Sequence, residues 1–269
     1  MKPLVLSLRE RPAERLDLSP LLPQLLAGKT ADEIARIGVQ TSRRPLAVGD
    51  VFRVRMGDAR RIRIEGACDR LDWIGHGMTD GEIVVDGDAG SQAGRLMRGG
   101  RLAITGSAGP WAASGMRGGE IEIRGGAGDR LGGALPGEMA GMRGGVVVVR
   151  GNAGERIGDR LRRGTILVEG RAGAWAGSRM IAGTLVVAGA AGALPGYLMR
   201  RGTIVLGAGS GELSPTFTDC GRHELTALRL LALFVARYSA RAASVLRRPL
   251  RRFAGDMAVL GKGEIFLAG

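Results

Sequence analysis

Cysteine is nearly absent from this sequence: Cys68 and Cys220 stand alone. Two thiols supply neither a disulfide framework nor the four ligands of an iron–sulfur cluster, and neither sits beside a base motif. Histidine is as scarce, so no zinc pattern is available. Aromatic residues make up 4%, without a stacking motif, which argues against a nucleic-acid module despite a net charge of +13. No stretch approaches the roughly 20 uninterrupted apolar residues of a membrane helix. The apolar start at 4–8 is too short for a signal-peptide core. Lysine occurs only at Lys2, Lys29 and Lys262 among 39 basic residues, so arginine carries the charge. These absences predict a soluble, intracellular, basic chain, and 269 residues suffice for a sizeable core.

Glycine, by contrast, is abundant, and it is periodic. The glycine opening each apolar run recurs at Gly81, Gly100, Gly119, Gly145, Gly164, Gly183 and Gly202. Each step is 19 residues, except a step of 26 between Gly119 and Gly145. Each unit carries Gly-x-x-Gly-x-x-x-Gly, as at Gly87/Gly90/Gly94 and Gly170/Gly173/Gly177; the unit at Gly106/Gly109 ends on Ala113 instead. The apolar runs, such as Ile83-Val84-Val85 and Ile166-Leu167-Val168, are rich in β-branched residues and favour strands. Their second and fourth residues after the glycine are always large and apolar, so these face inward, while the third varies and can be Glu122. A further column, Met78, Met97, Met116, Met142, Leu161, Met180 and Met199, supplies another inward layer.

A short strand, a glycine bend and a second apolar column per 19 residues describe one turn of a solenoid. The expected fold is all-β with flanking helices: a right-handed parallel β-helix of about eight coils, its hand taken from the general crossover preference. Residues 51–211 form the rod. Residues 1–50 are expected to cap it with short helices, one over 21–27 behind Ser19-Pro20 and one from a Thr30/Glu33 capping box through Ile37. Residues 212–269 are expected to hold one unbroken helix over 223–246, capping the rod or lying along its side, and a last strand at 263–267. The extra residues around 133–140 must bulge from the rod as a partner contact or a tolerated insertion.

Directly after the methionine column come Arg98, Arg117, Arg143, Arg162 and Arg200, interrupted by Ile181. Residues one coil apart sit about 4.8 Å apart, where like charges repel unless an anion intervenes. The column reads as an anionic-ligand groove, as a seat for a partner protein, or as a solvated corner. Trp73, Trp111 and Trp175 share one place in three non-adjacent coils, which suits packing better than a sugar ladder. Asp69, Asp72 and Asp80 lie near His76 and Cys68, the one cluster resembling an acid–base or metal site, although its spacing matches no zinc pattern. No Gly-x-Gly-x-x-Gly lies between a strand and a helix, so no dinucleotide site is expected.

The tandem glycine units resemble the β-helical C-terminal domain of the glutamate synthase large subunit. They are more similar to the family of formylmethanofuran dehydrogenase C subunits, which includes the C subunit of the bacterial formyltransferase/hydrolase complex. Gly106-Ser-Ala-Gly-Pro-Trp111, Gly115-Met-Arg-Gly-Gly-Glu-Ile-Glu-Ile123, Gly81-Glu-Ile-Val-Val-Asp-Gly87 and the tail Arg251-Arg-Phe-Ala-Gly-Asp256 with Gly261-Lys-Gly-Glu-Ile265 carry the likeness.

The resemblance implies a non-catalytic, cytoplasmic structural subunit with no cofactor of its own. Its partners are then the other subunits, which hold the metals and a methanofuran-type carrier. In one such complex a formyl group passes from tetrahydromethanopterin to that carrier and formate is released. In the other, a tungsten or molybdenum formylmethanofuran dehydrogenase makes the formyl group. Arginine, alanine and glycine bias points to a GC-rich genome and favours the first. The carrier's polyglutamate tail in many organisms would suit the arginine column. A stand-alone polyanion-binding solenoid is a further alternative; nucleic acid and membrane are not expected partners.

Overall fold

The computed structural model describes residues 2–268. The apolar runs do form strands, and they stack in register. The main sheet comprises β1 (Pro3–Leu8), β2 (Phe52–Arg55), β3 (Asp58–Ala67), β4 (Glu82–Gly87), β5 (Arg101–Ile104), β6 (Glu120–Ile123), β7 (Arg143–Val149), β8 (Arg163–Val168), β9 (Thr184–Val187), β10 (Arg201–Leu206), β11 (Thr218–His223), β12 (Leu250–Gly255) and β13 (Lys262–Ala268). Their spatial order is β11-β12-β13-β10-β9-β8-β7-β6-β5-β4-β3-β1-β2. From β1 through β3–β10 to β13 every pairing is parallel, which makes a parallel β-helix.

The register stacks like on like. Ile62, Ile83, Leu102, Ile121, Val147, Ile166, Leu185 and Ile204 are successive partners, and all are buried. The methionine column is buried too, with Met78, Met97, Met116, Met142, Leu161, Met180 and Met199 each at 0% exposure. A third face closes each coil through bridges between Ala89, Ala108, Ala127, Ala153, Ala172, Ala191 and Ser210. The alanine before the middle glycine of each motif marks this face; only a small side chain fits where two runs of backbone approach so closely.

The ends differ from expectation. At the N-terminus β1 is itself a strand of the rod, parallel to β3, and β2 turns back along it. The first helix is shorter than 21–27: α1 spans Pro23–Leu26, begins with proline in its first turn, and has no side-chain cap. Ser19 does not cap it, because the helix starts later and its N-cap position falls to Leu22; the Ser19 amide instead donates to the Asp17 carboxylate at 2.8 Å. The second, α2 (Ala31–Ala35), has the expected Thr30/Glu33 capping box. A further single turn, α3 (Val48–Val51), leads into β2.

At the other end the single helix expected over 223–246 is two helices, α4 (Thr226–Ala236) and α5 (Ala240–Leu246). The break falls at Ser239, whose backbone is extended and whose hydroxyl accepts the Ala242 amide. His223, the expected first residue of that helix, instead ends the strand β11, and β12 forms a hairpin with β13. The helices lie along the side of the rod. Leu228, Ala232, Val235, Ala242 and Val245 cover Val148, Leu167, Val186, Val205 and Phe266, the outward third residues of β7–β10 and β13. This cover accounts for the large apolar residues the column holds from Val148 onward, whereas Val84, Ala103 and Glu122 of the same column lie outside it. No helix among the described residues is long and apolar enough to cross a membrane.

Candidate functional site

The backbone sets the arginine column in place. The amides of Arg98, Arg117, Arg143, Arg162 and Arg200 donate to the carbonyls of Met78, Met97, Met116, Met142 and Met180, at 2.6–2.9 Å. Ile181 donates likewise to Leu161 at 2.8 Å. Each stem therefore leaves the rod from the same point of its coil, with a buried methionine or leucine behind it. All five arginines are exposed, and none forms an ion pair among the described residues.

A second set of charges on the rod is compensated. Arg101 bridges Glu82 and Glu122 at 2.8 and 2.9 Å, and Arg150 bridges Glu122 and Glu169 at 2.9 and 2.6 Å. This alternating ladder ends on Ser239, which donates to Glu169 at 2.6 Å. Hydrogen bonds from Arg150 hold the Glu122 carboxyl below its ordinary range; burial opposes this, and the Arg101 contacts add to it. The same chain thus neutralises one stack of arginines internally and leaves another open to solvent. An array of guanidinium forks without internal partners can take carboxylates or phosphates from outside.

Two of the three aspartates of the acidic cluster are engaged by arginines of the N-terminal segment. Asp72 is clasped by Arg15 through Nε and Nη2 at 2.6 and 2.5 Å, and it also accepts the Ser91 amide. Asp69 pairs with Arg11 at 2.8 Å, while Asp80 is exposed. These contacts strap the N-terminal segment to the rod. No group of three or more His, Cys, Asp or Glu among the described residues is placed to hold a metal ion.

The three tryptophans share a left-handed backbone, with φ of 61°, 58° and 58°. Two of them meet cationic or aromatic neighbours within the chain. Arg95 lies over Trp73 at 5.8 Å, the His76 ring meets Trp73 edge-on at 4.8 Å, and Arg156 lies over Trp175 at 4.5 Å. The 133–140 insertion does leave the rod at Pro136, Gly137 and Met139, the last 82% exposed. It is nevertheless tethered. The Glu138 carboxylate receives Arg95 at 2.8 Å, and the Glu138 carbonyl receives Arg160 at 2.6 Å. Two functional candidates escape the sequence reading: Arg163 and Arg201, exposed beside Arg162 and Arg200. The Arg-Arg dipeptides are the signal that could have found them.

No protein-family model matches the chain. It is 52% identical over 262 residues to the C subunit of the formyltransferase/hydrolase complex Fhc of Methylorubrum extorquens, covering 97% of this chain and 98% of that protein. It is 30% identical over 92 residues to the C subunit of the tungsten-containing formylmethanofuran dehydrogenase 2 of Methanococcus maripaludis, covering 34% of each. A chain of the crystal structure of the formyltransferase/hydrolase complex FhcABCD from Methylorubrum extorquens, in complex with methylofuran, superposes with a TM-score of 0.95 at 46% identity. That superposition covers 98% of this chain and 99% of that one.

Proposed function

The chain belongs to the family of formyltransferase/hydrolase complex C subunits, and on that premise we propose that it is the β-helical structural subunit of such a complex. The complex would move a formyl group from tetrahydromethanopterin to a methanofuran-type carrier and release formate in the cytoplasm. The observation that carries this reading is the end-to-end match. Both flanks of the rod, including the strapped N-terminus and the side-packed helices, fall inside a 97–98% alignment, whereas the dehydrogenase relative matches about a third of the chain.

This chain's own residues supply a rigid rod, an anchored loop and an open arginine column. The column would face a partner protein or the acidic tail of the carrier; carrier chemistry and metals would belong to the partners. Affinity purification of the tagged chain from its own cells tests the reading. Co-purified chains with formyl-transfer activity and no tungsten or molybdenum support it. Tungsten or molybdenum in stoichiometric amount moves the assignment to a dehydrogenase, and a chain recovered alone overturns the role as a subunit.

A further inference from the structure

The interruption of the arginine column has a shape. Where Ile181-Ala182 replaces the cationic pair, a shallow cleft of about 350 Å³ opens, walled by Arg162 and Arg163 on one side and Arg200 and Arg201 on the other. The two walls are two coils apart, roughly 10 Å by the coil spacing. Leu260 forms its lip and is 51% exposed, and it belongs to a turn that also exposes Met257 and Val259. All four arginines are exposed, and none makes an ion pair among the described residues. Four unpaired guanidinium groups around an apolar floor repel one another until carboxylates enter between them.

We infer that this cleft is the docking site for an acidic segment of a partner protein chain. Its carboxylates enter over Ile181 between the two arginine walls, and an apolar side chain rests on Leu260. The charge selects an anion. The apolar residues beside it select a peptide over a small solute, since three exposed apolar side chains in one turn offer nothing to a free anion. The inference rests on the chain working inside an assembly, and it adds where that assembly grips it.

The test uses the complex purified through the full-length tagged chain. The double variant Arg162→Glu/Arg200→Glu is compared with a charge-matched control, Arg124→Glu/Arg241→Glu, at exposed arginines that also lack ion pairs. We expect at least ten-fold lower recovery of one partner chain with the cleft variant and unchanged recovery with the control. Both isolated variants should melt like the parent. Equal recovery from the two variants, or equal loss, overturns the site. A photo-crosslinker, Leu260→p-benzoylphenylalanine, should capture a partner peptide bearing at least two Asp or Glu; a captured peptide without acidic residues also overturns it. If the unaltered chain brings down no partner, the subunit reading fails and this site falls with it.

Discussion

Ala113 occupies the backbone position that glycine holds in the other coils, and the residue facing it by repeat register is Val147. Its φ is 59°, beside 67°, 66° and 71° at Gly94, Gly132 and Gly177. A Cβ added at those three glycines would come within 2.2, 2.7 and 2.5 Å of the Cδ1 of Ile121, Ile166 and Ile204. Those isoleucines stand at the place that Val147 fills for Ala113. Valine has no Cδ1, so the coil with a methyl group in this column has a neighbour that makes room; Gly75 and Gly158, where an added Cβ would meet its nearest atoms at 3.4 and 3.7 Å, are not so crowded either.

The pair predicts a specific epistasis. Val147→Ile should destabilise the chain by about 1–3 kcal/mol through overpacking. Ala113→Gly in the same chain should recover most of that loss, a coupling of about 1 kcal/mol or more. Thermal or urea denaturation of the two single variants and the double variant measures it, and additive effects would refute the register argument.

A second prediction concerns the helix break. The Ser239 hydroxyl both caps α5 and donates to Glu169, 70 positions earlier. Ser239→Ala should cost about 1–2 kcal/mol from the lost cap alone. The melting temperature should then fall by roughly 2–6 °C. A Ser239→Asp variant would keep a cap acceptor but oppose Glu169, so it should not restore the parent value.

This break shows where sequence reading stops. The coils are legible because each repeats a local rule: alternation in the strand, glycine at the left-handed bends, methionine behind the arginine. The interruption at 237–239 contains no glycine or proline. It is set by contacts across the fold, since Tyr238 reaches Glu120 at 3.1 Å and Ser239 reaches Glu169. In the same way β12 reads as Leu-Arg-Arg-Phe-Ala-Gly, whose charges conceal a strand until its antiparallel pairing with β13 is seen. The outward column is readable in principle. Val148, Leu167, Val186 and Val205 form an unbroken run of large apolar residues at the position where Glu122 is charged, and α4 and α5 cover that run. Of the candidate site, the column is legible as a period; its cleft is not, because a missing side chain has no motif.

The ladder predicts an acid response. The Glu122 carboxyl is held below its ordinary value, chiefly by hydrogen bonds from Arg150. A depressed carboxylate contributes stability that is present above its unfolded pKa of about 4.5 and is lost as pH falls through the lower folded value. Glu122→Gln should therefore lower stability at pH 7, by about 1–3 kcal/mol. It should also flatten the acid limb below pH 4.5, and melting curves between pH 3 and 7 would show both changes. An acid limb as steep as the parent's would mean that other carboxylates carry it.

The two arginine stacks should respond oppositely to the same change. Arg150 lies between Glu122 and Glu169, so Arg150→Glu would leave three carboxylates together without the cation that joins them. The cost should be large, about 3 kcal/mol or more, because both partners lose their bonds from Arg150 while staying partly buried, and Arg101 remains as a cation for Glu122 but not for Glu169. Arg117 and Arg143 make no ion pair among the described residues, although Arg143 is near enough to Glu138 to act on its charge. Arg117→Glu/Arg143→Glu removes no ion pair within the chain and relieves repulsion along the column, so stability should stay within about 0.5 kcal/mol of the parent. What it should change is assembly: partner recovery or formyl-transfer activity of the purified complex should fall. Parent-like assembly and activity in that double variant would leave the column a solvated edge. A collapse in stability would show that its charges are balanced inside the chain after all, and the contrast with Arg150 makes these outcomes separable.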